Sequence, residues 1–308
     1  MIKRNATLFG KMKQVKRMFL VILSTILLSL SLSGCVIDES VLEGATNSNT
    51  YEELPQHDRL RVIFLDVGQG ASQLLISPSG RTMLVDAGNN DQEQIMVDYL
   101  RHYGVKRLDI VIGTHPDADH IGGLDRVIDN FEVGEIYMPK IQSNTKTFEY
   151  LLKSISKKGL KVKSAKSGLT LDWDEQVQVK MLAPVNTSDD KNNMSAVVKL
   201  TFGSTSFLLT GDAERESEQD MISSGVDLRA DVMLVGHHGS KSSTTAAFLK
   251  KVNPKYAVIQ VGENSYGHPK QTILDRLSKA GVKVYRNDLQ GTVEIDSDGQ
   301  KYSIHTER

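Results

Sequence analysis

Between Thr114 and His120 the chain reads Thr-His-Pro-Asp-Ala-Asp-His, so that His115, Asp117, Asp119 and His120 fall within six positions. Imidazole nitrogens and carboxylate oxygens together suit a divalent transition metal. Such an ion can activate water and polarise an ester oxygen, so hydrolysis is the chemistry this spacing suggests. The plainer alternative is an exposed polar turn whose aspartates cap the next helix. Two histidines and two aspartates at this density argue against it.

The flanking segments say how such a cluster would be held. Leu108 to Ile112 is a short apolar, β-branched run that reads as a buried strand. Gly122-Gly123 follows the cluster, and then a helical pattern of Leu124, Val127 and Ile128. The cluster therefore sits on a strand-to-helix loop, where a rigid scaffold can aim several side chains at one point. Other segments share the form of a strand ending in polar residues. They are Leu84 to Gly88 with Asp86, Phe207 to Asp212, Asp231 to Ser240 with His237 and His238, and Tyr256 to Pro269 with His268. Loops at one edge of a sheet sandwich converge, so these groups are expected to line one cleft.

The first 34 residues read as an export signal rather than as part of the fold. Lys3, Arg4, Lys11, Lys13, Lys16 and Arg17 precede an apolar run from Met18 to about Leu32, with no acid among them. That run is short for a membrane span, which needs about 20 apolar residues. Met12 is an alternative start that keeps a basic head. Cys35, the one cysteine of 308 residues, falls at the expected cleavage point. The arrangement resembles a bacterial lipobox, with Cys35 lipidated; an ordinary cleavage site and a secreted product is the alternative. A lone cysteine excludes an intramolecular disulfide and a thiolate-rich zinc site, leaving nitrogen and oxygen ligands.

Loss of those six cations from 37 leaves 31 basic residues against 38 acidic ones, a net charge of −7. A broadly basic nucleic-acid-binding surface is therefore not indicated, and local basic patches remain open. Residues 35 to 58 are polar and acidic and read as a tether. From 59 to 308, strand candidates are 60–67, 72–76, 82–85, 108–112, 135–138, 177–182, 196–202, 206–209, 232–235, 256–261, 282–285 and 292–295. Helix candidates are 92–103, 123–130, 145–158, 214–223, 243–252 and 271–280. The order predicts one α/β domain of two facing sheets with helices outside. His57, His102 and His305 are expected at the surface, and Trp173 as a packing residue at a turn.

His115-Pro116-Asp117-Ala118-Asp119-His120 resembles the H-x-[HD]-x-D-H signature of the metallo-β-lactamase fold. Phe64 to Gly70, Val85 to Gly88, Leu209 to Glu214, Gly236 to Ser240 and Tyr266 to Pro269 are similar to a narrower group. That group is the hydrolase domain of ComEC-type DNA-uptake proteins and their free-standing relatives. The resemblance implies a metallo-β-lactamase αββα four-layer sandwich and a site for one or two divalent ions, zinc or manganese, with magnesium as a further candidate. It implies His115 and Asp117 on one metal, Asp119 and His120 on the other, and Asp212 bridging them. His237 and His268 compete to complete the second position. Asp86 is implied as a residue that orients a ligand from behind, and His238 is left as a neighbour of the ligands or a core residue.

Departures from the pattern bear on the metal. No histidine lies between His120 and His237, and Asn192-Asn193-Met194-Ser195 occupies the stretch where the family carries its middle histidine ligand. The first position would thus be oxygen-rich, favouring manganese or magnesium. Ala71 stands where the group commonly has an acid. The implied activity is phosphodiester hydrolysis by a metal-activated hydroxide, with extracellular DNA as the leading substrate and the membrane reached through the lipid. Asp119 and Asp212 would serve the reaction, and Lys241 would face a phosphate oxygen. Hydrolysis of cell-wall or small phosphate esters or lactones is the rival, as is a surface lipoprotein that has lost turnover.

Overall fold

The computed structural model describes residues 58–308. The export segment, Cys35 and the tether up to residue 57 lie outside the described residues. Three antiparallel strands open the domain, β1 (Leu60–Phe64), β2 (Gln73–Ile76) and β3 (Thr82–Val85). The chain then alternates through α1 (Glu93–His102), β4 (Arg107–Ile112), α2 (Ala118–Ile121), α3 (Leu124–Asn130), β5 (Glu132–Pro139), α4 (Lys146–Lys157) and β6 (Val162–Ala165). Next come β7 (Thr170–Leu171), β8 (Val177–Ala183), β9 (Val197–Phe202), β10 (Thr205–Leu209), α5 (Arg215–Ser224), β11 (Val232–Leu234) and α6 (Ala246–Val252). β12 (Tyr256–Ile259), α7 (Gln271–Lys279), β13 (Lys283–Arg286), α8 (Asn287–Gln290), β14 (Val293–Ser297) and β15 (Tyr302–Thr306) complete it.

One sheet has the order β15-β14-β1-β2-β3-β4-β5-β6, the other β13-β12-β11-β10-β9-β8-β7. The last two strands thus return to pair with the first. Alternate residues of each strand explain the layering. Val62 and Phe64 of β1, Met83 and Val85 of β3, and Phe207 and Leu209 of β10 meet between the sheets, where Trp173 is also fully buried. Ile63 and Leu84 face the other way, against Met96, Leu100, Val127 and Leu151 of α1, α3 and α4. Leu208 and Met233 likewise meet Met221, Phe248 and Ile273 of α5, α6 and α7. Strands covered on both faces need continuous apolar runs, and the sequence supplies them. Truncating Phe207 to alanine would cost about 3–5 kcal/mol. The result is the expected four-layer αββα sandwich.

Each sheet is antiparallel in one part and parallel in another. β3 to β6 run parallel, and so do β10 to β13. In such sheets ligands collect beyond the carboxyl ends of the strands. Asp86 follows β3, the His115–His120 loop follows β4, Asp212 follows β10, and His237 and His238 follow β11.

The expected elements are present with shifted bounds; β1 ends early at Phe64, β5 runs longer over Glu132–Pro139, and α6 begins at Ala246 behind a Thr245 cap whose hydroxyl accepts from the Phe248 amide. The sequence did not suggest β6, β7 or β15. Each lies at a sheet edge; β6 is mostly exposed and β15 only half-buried, so neither carries an unbroken apolar run to find.

Candidate metal centre

Four imidazoles converge on Asp212. His120 Nε2 lies 3.1 Å from Asp212 Oδ1, while His237, His238 and His115 Nε2 lie 3.6, 3.7 and 4.0 Å from Oδ2. Asp212 is buried, and its amide donates to Ser195 Oγ at 3.2 Å. Gly211, at φ 50°, makes the turn that carries it off β10, and an added Cβ there would meet Thr114.

The opposite ring nitrogens fix how each imidazole is presented. His238 Nδ1 is 2.7 Å from the Gln260 carbonyl, which can only accept, so Nδ1 carries a proton and Nε2 is the atom left to ligate. His120 Nδ1 is 2.7 Å from Asp86 Oδ2, and His237 Nδ1 is 2.8 Å from Glu214 Oε1. His115 Nδ1 lies 3.1 Å from Thr114 Oγ1, whose own proton goes to Asp86. Thr114 also donates its amide to Asp86 Oδ1 at 2.7 Å. Every one of the four rings is thus anchored through Nδ1 and turns Nε2 inward, the arrangement that orients metal-bound histidines once any Nε2 proton is displaced. His115 Nε2 is buried with no hydrogen-bond partner at all. A divalent cation is the partner that would satisfy it.

Two groups of donor atoms lie within 4.8 Å of one another, His115, His120 and Asp212, and Asp119, His120 and His238. In the second, His238 Nε2 is 3.2 Å from Asp119 Oδ2 and 3.3 Å from His120 Nε2. This is a correction to the expectation for the late histidine. Neither His237 nor His268 joins Asp119 and His120; His238 does. The reason is local. His237 and His238 both adopt positive φ, 49° and 51°, which sends successive side chains to different partners, Glu214 and Gln260. His268 stays outside both groups, with its ring 5.7 Å from that of His237 and stacked on Tyr266.

The expected His115 and Asp117 pair is looser. Asp117 Oδ2 is 3.8 Å from His115 Nε2, and its Oδ1 is held 3.0 Å from Lys191 Nζ. Both partners of that ion pair are over a third exposed, so it is worth about 0–1 kcal/mol and a cation could displace the lysine. Lys191 was not singled out from the sequence; it immediately precedes the stretch where the middle histidine is missing. Ser195 is buried 3.4 Å from His115 Nδ1, bracing the ring and the Asp212 loop instead of supplying an imidazole. Glu214, Thr114 and Gln260 were also missed as positioning groups, although Glu214 lies in one of the motifs quoted above.

Lys241 is exposed and outside the cluster, on a neighbouring cavity with Arg215, Ser242 and Glu214. Ala71 is buried under the metal loop, where its amide donates to the Asp119 carbonyl at 3.0 Å. Gly70 beside it leaves no space for a Cβ, which would lie 2.6 Å from that carbonyl.

Charge in the cluster is strongly coupled. Burial works against ionisation of Asp212 and Asp119, but the surrounding histidines outweigh it and hold both carboxyls below the usual carboxylate range. Burial likewise opposes a charge on His120 and His238; the adjoining aspartates outweigh it and raise both. Burial together with His120 pushes His115 down to about 4, so its imidazole is neutral and free to ligate.

With two facing sheets, helices outside and this cluster at the carboxyl ends of the strands, the chain belongs to the metallo-β-lactamase superfamily, whose pattern matches residues 66–263. Members of that superfamily are mostly metal-dependent hydrolases that bind one or two divalent ions. Its relatives include ComE operon protein 3 of Bacillus subtilis, 32% identical over 252 residues that cover 76% of this chain and 32% of that protein. Competence protein ComA of Neisseria gonorrhoeae is 30% identical over 248 residues, covering 79% of this chain and 33% of that one. The chain spans about a third of the length of these relatives. Among solved structures, the metallo-beta-lactamase fold protein YhfI from Bacillus subtilis is similar with a TM-score of 0.50 at 14% identity, covering 75% of this chain and 98% of that one. CmlA, a diiron beta-hydroxylase from Streptomyces venezuelae, gives 0.51 at 14% identity, covering 79% and 54%. Both likenesses concern the fold.

Proposed function

We propose that this protein is an exported, lipid-anchored, metal-dependent phosphodiesterase that acts on extracellular DNA. The observation that carries the hydrolase reading is the inward presentation of four Nε2 atoms around Asp212, each ring anchored through Nδ1. The competence proteins among the relatives support DNA as the substrate, and the basic, Cys35-terminated leader supports export and anchoring. No helix among the described residues is long and apolar enough to cross a membrane, so passage of DNA through a membrane is not part of the proposal.

Asp119, His120, His238 and Asp212 would hold one ion, and His115, Asp117, His237 and Asp212 a second. Each set offers two imidazoles and two carboxylates, which suits zinc or manganese better than magnesium. When bound, such ions bring the pKa of water toward neutrality and offset the charge that builds on phosphoryl oxygens. The chain does the rest by position. Asp86 accepts a hydrogen bond from His120 Nδ1 and keeps that ring turned inward. Asp119 reaches His238 through Oδ2 and is partly exposed, so its carboxylate is available to relay a proton from water.

Plasmid degradation by the purified protein, with measured metal content, tests the proposal, with Asp119→Ala as control. Loss of degradation in the variant is expected. Equal degradation by both would overturn the assignment, and turnover of a small phosphodiester or lactone without any action on DNA would favour the rival substrates.

A further inference from the structure

Two features flank His237 on opposite partners. On one side its ring lies 5.7 Å from His268, and His268 is stacked on Tyr266 with centroids 5.6 Å apart and planes 27° from parallel. Tyr266 is 64% exposed, the largest exposure among the big apolar and aromatic residues at the described surface. An aromatic ring left in water beside a reactive centre calls for a reason. Its loop is braced rather than loose. Asn264 Nδ2 donates to the Gly262 and His268 carbonyls at 2.8 and 3.0 Å, and its Oδ1 accepts from the His268 amide at 3.0 Å. Gly262 packs directly on Gly68 and Gln69, and the Lys270 amide donates to the Gly239 carbonyl in the histidine loop at 2.9 Å. One face of Tyr266 is therefore fixed against His268, and the rest is offered to solvent at the rim.

On the other side His237 Nδ1 is bonded to Glu214, which also accepts from Ser242 Oγ at 2.9 Å. Beyond that carboxylate is a cavity of about 410 Å³ lined by Arg215, Lys241, Asn193, Glu216 and Ser242. The side chains of Arg215 and Lys241 have no ion-pair or hydrogen-bond partner among the described residues. Glu214 and Glu216 line the same cavity, but Glu214 is bonded to His237, Ser242 and Asn192 rather than to either cation, which leaves both cationic heads open to a phosphate.

Resting on the phosphodiesterase reading, we propose that these two features are the subsites of one nucleic-acid strand. Tyr266, backed by His268, stacks the base next to the cleaved phosphodiester, and Arg215 with Lys241 takes the phosphate of the nucleotide on the far side of His237. The order platform, His237, cation pair follows the contacts just given. In a duplex both faces of a base are covered by its neighbours, so a stacking platform at a rim serves an unstacked base. The substrate class is thus single-stranded nucleic acid or a frayed end, with little dependence on sequence because every base has a face to stack. Phosphate contacts alone would favour a strand without distinguishing its paired state.

Steady-state kinetics of the metal-loaded protein decide it, with a single-stranded oligonucleotide, the same strand in a duplex, and the same strand with abasic residues. The unaltered protein is expected to prefer the base-bearing single strand over the other two. Tyr266→Ala should lower the kcat/KM ratio of base-bearing to abasic strand about tenfold, with metal content unchanged, and Tyr266→Phe should restore it. Lys241→Ala should weaken binding of every strand alike and reduce the salt dependence by about one charge. An unchanged base-bearing to abasic ratio in Tyr266→Ala, or a duplex preference in the unaltered protein, overturns the platform while leaving the hydrolase intact. Turnover of bis(p-nitrophenyl) phosphate with none of any oligonucleotide overturns the nucleic-acid reading itself.

Discussion

The two halves of the metal cluster share Asp212 but differ in how closely the rest of their donors already stand. Asp119, His120 and His238 have their ligand atoms within 4.8 Å of one another, each ring locked from behind by Asp86 or the Gln260 carbonyl. His115, Asp117 and His237 are more widely set, and Asp117 is shared with the lysine that stands near the missing histidine. Anchored groups bind without reorganising, whereas the looser half must draw in Asp117 and release Lys191. The compact half is thus expected to fill first and to hold its ion more tightly, and the open half to admit substrate or a second ion.

The largest effect should come from the residue common to both halves. Asp212→Ala should abolish stoichiometric metal binding and reduce turnover about a thousandfold or more, read by metal analysis and single-turnover rates. Next, His238→Ala should weaken the tighter ion about a hundredfold or more in a competition titration with a chelator, while His268→Ala leaves metal affinity unchanged. The reverse order would return the late ligand to His268 and break the comparison. Asp86→Asn keeps the shape but weakens the grip on His120, so the tighter site should lose about 10–100-fold in affinity.

Protonation sharpens the same contrast. His120 and His238 hold protons to a higher pH than an ordinary imidazole, whose pKa is about 6.5. A metal must displace those protons, so affinity for the compact half should rise with pH above that value and fall below it. Calorimetry in buffers of different ionisation enthalpy should record proton release on binding. His115, already neutral down to about 4, adds no such release. The smallest effect is predicted for Lys191→Met, which frees Asp117 and should strengthen the second ion only a few-fold, because the exposed ion pair it removes is weak.

The sandwich was readable because its strands are covered on both faces and show as unbroken apolar runs, and because polar residues end several of the parallel strands. The edge strands β6, β7 and β15 gave no such signal. Within the site, His115, Asp119 and His120 stood out by residue type and spacing, and Asp212 through the resemblance to the family and its place at a strand end. The choice among His237, His238 and His268 was not, since it depends on two consecutive residues in positive φ that aim adjacent rings apart. Lys191 was hidden for a similar reason: its partner Asp117 is 74 residues away, and only the folded sheets bring the two together.

Crystals of the protein soaked in manganese or zinc and measured at the metal's absorption edge would test the central claim most directly. The strongest anomalous peak is predicted within about 2.0–2.2 Å of donor atoms from His120, His238, Asp119 and Asp212, with a weaker one beside His115 and Asp117. A peak on His268, or none near Asp212, would contradict it.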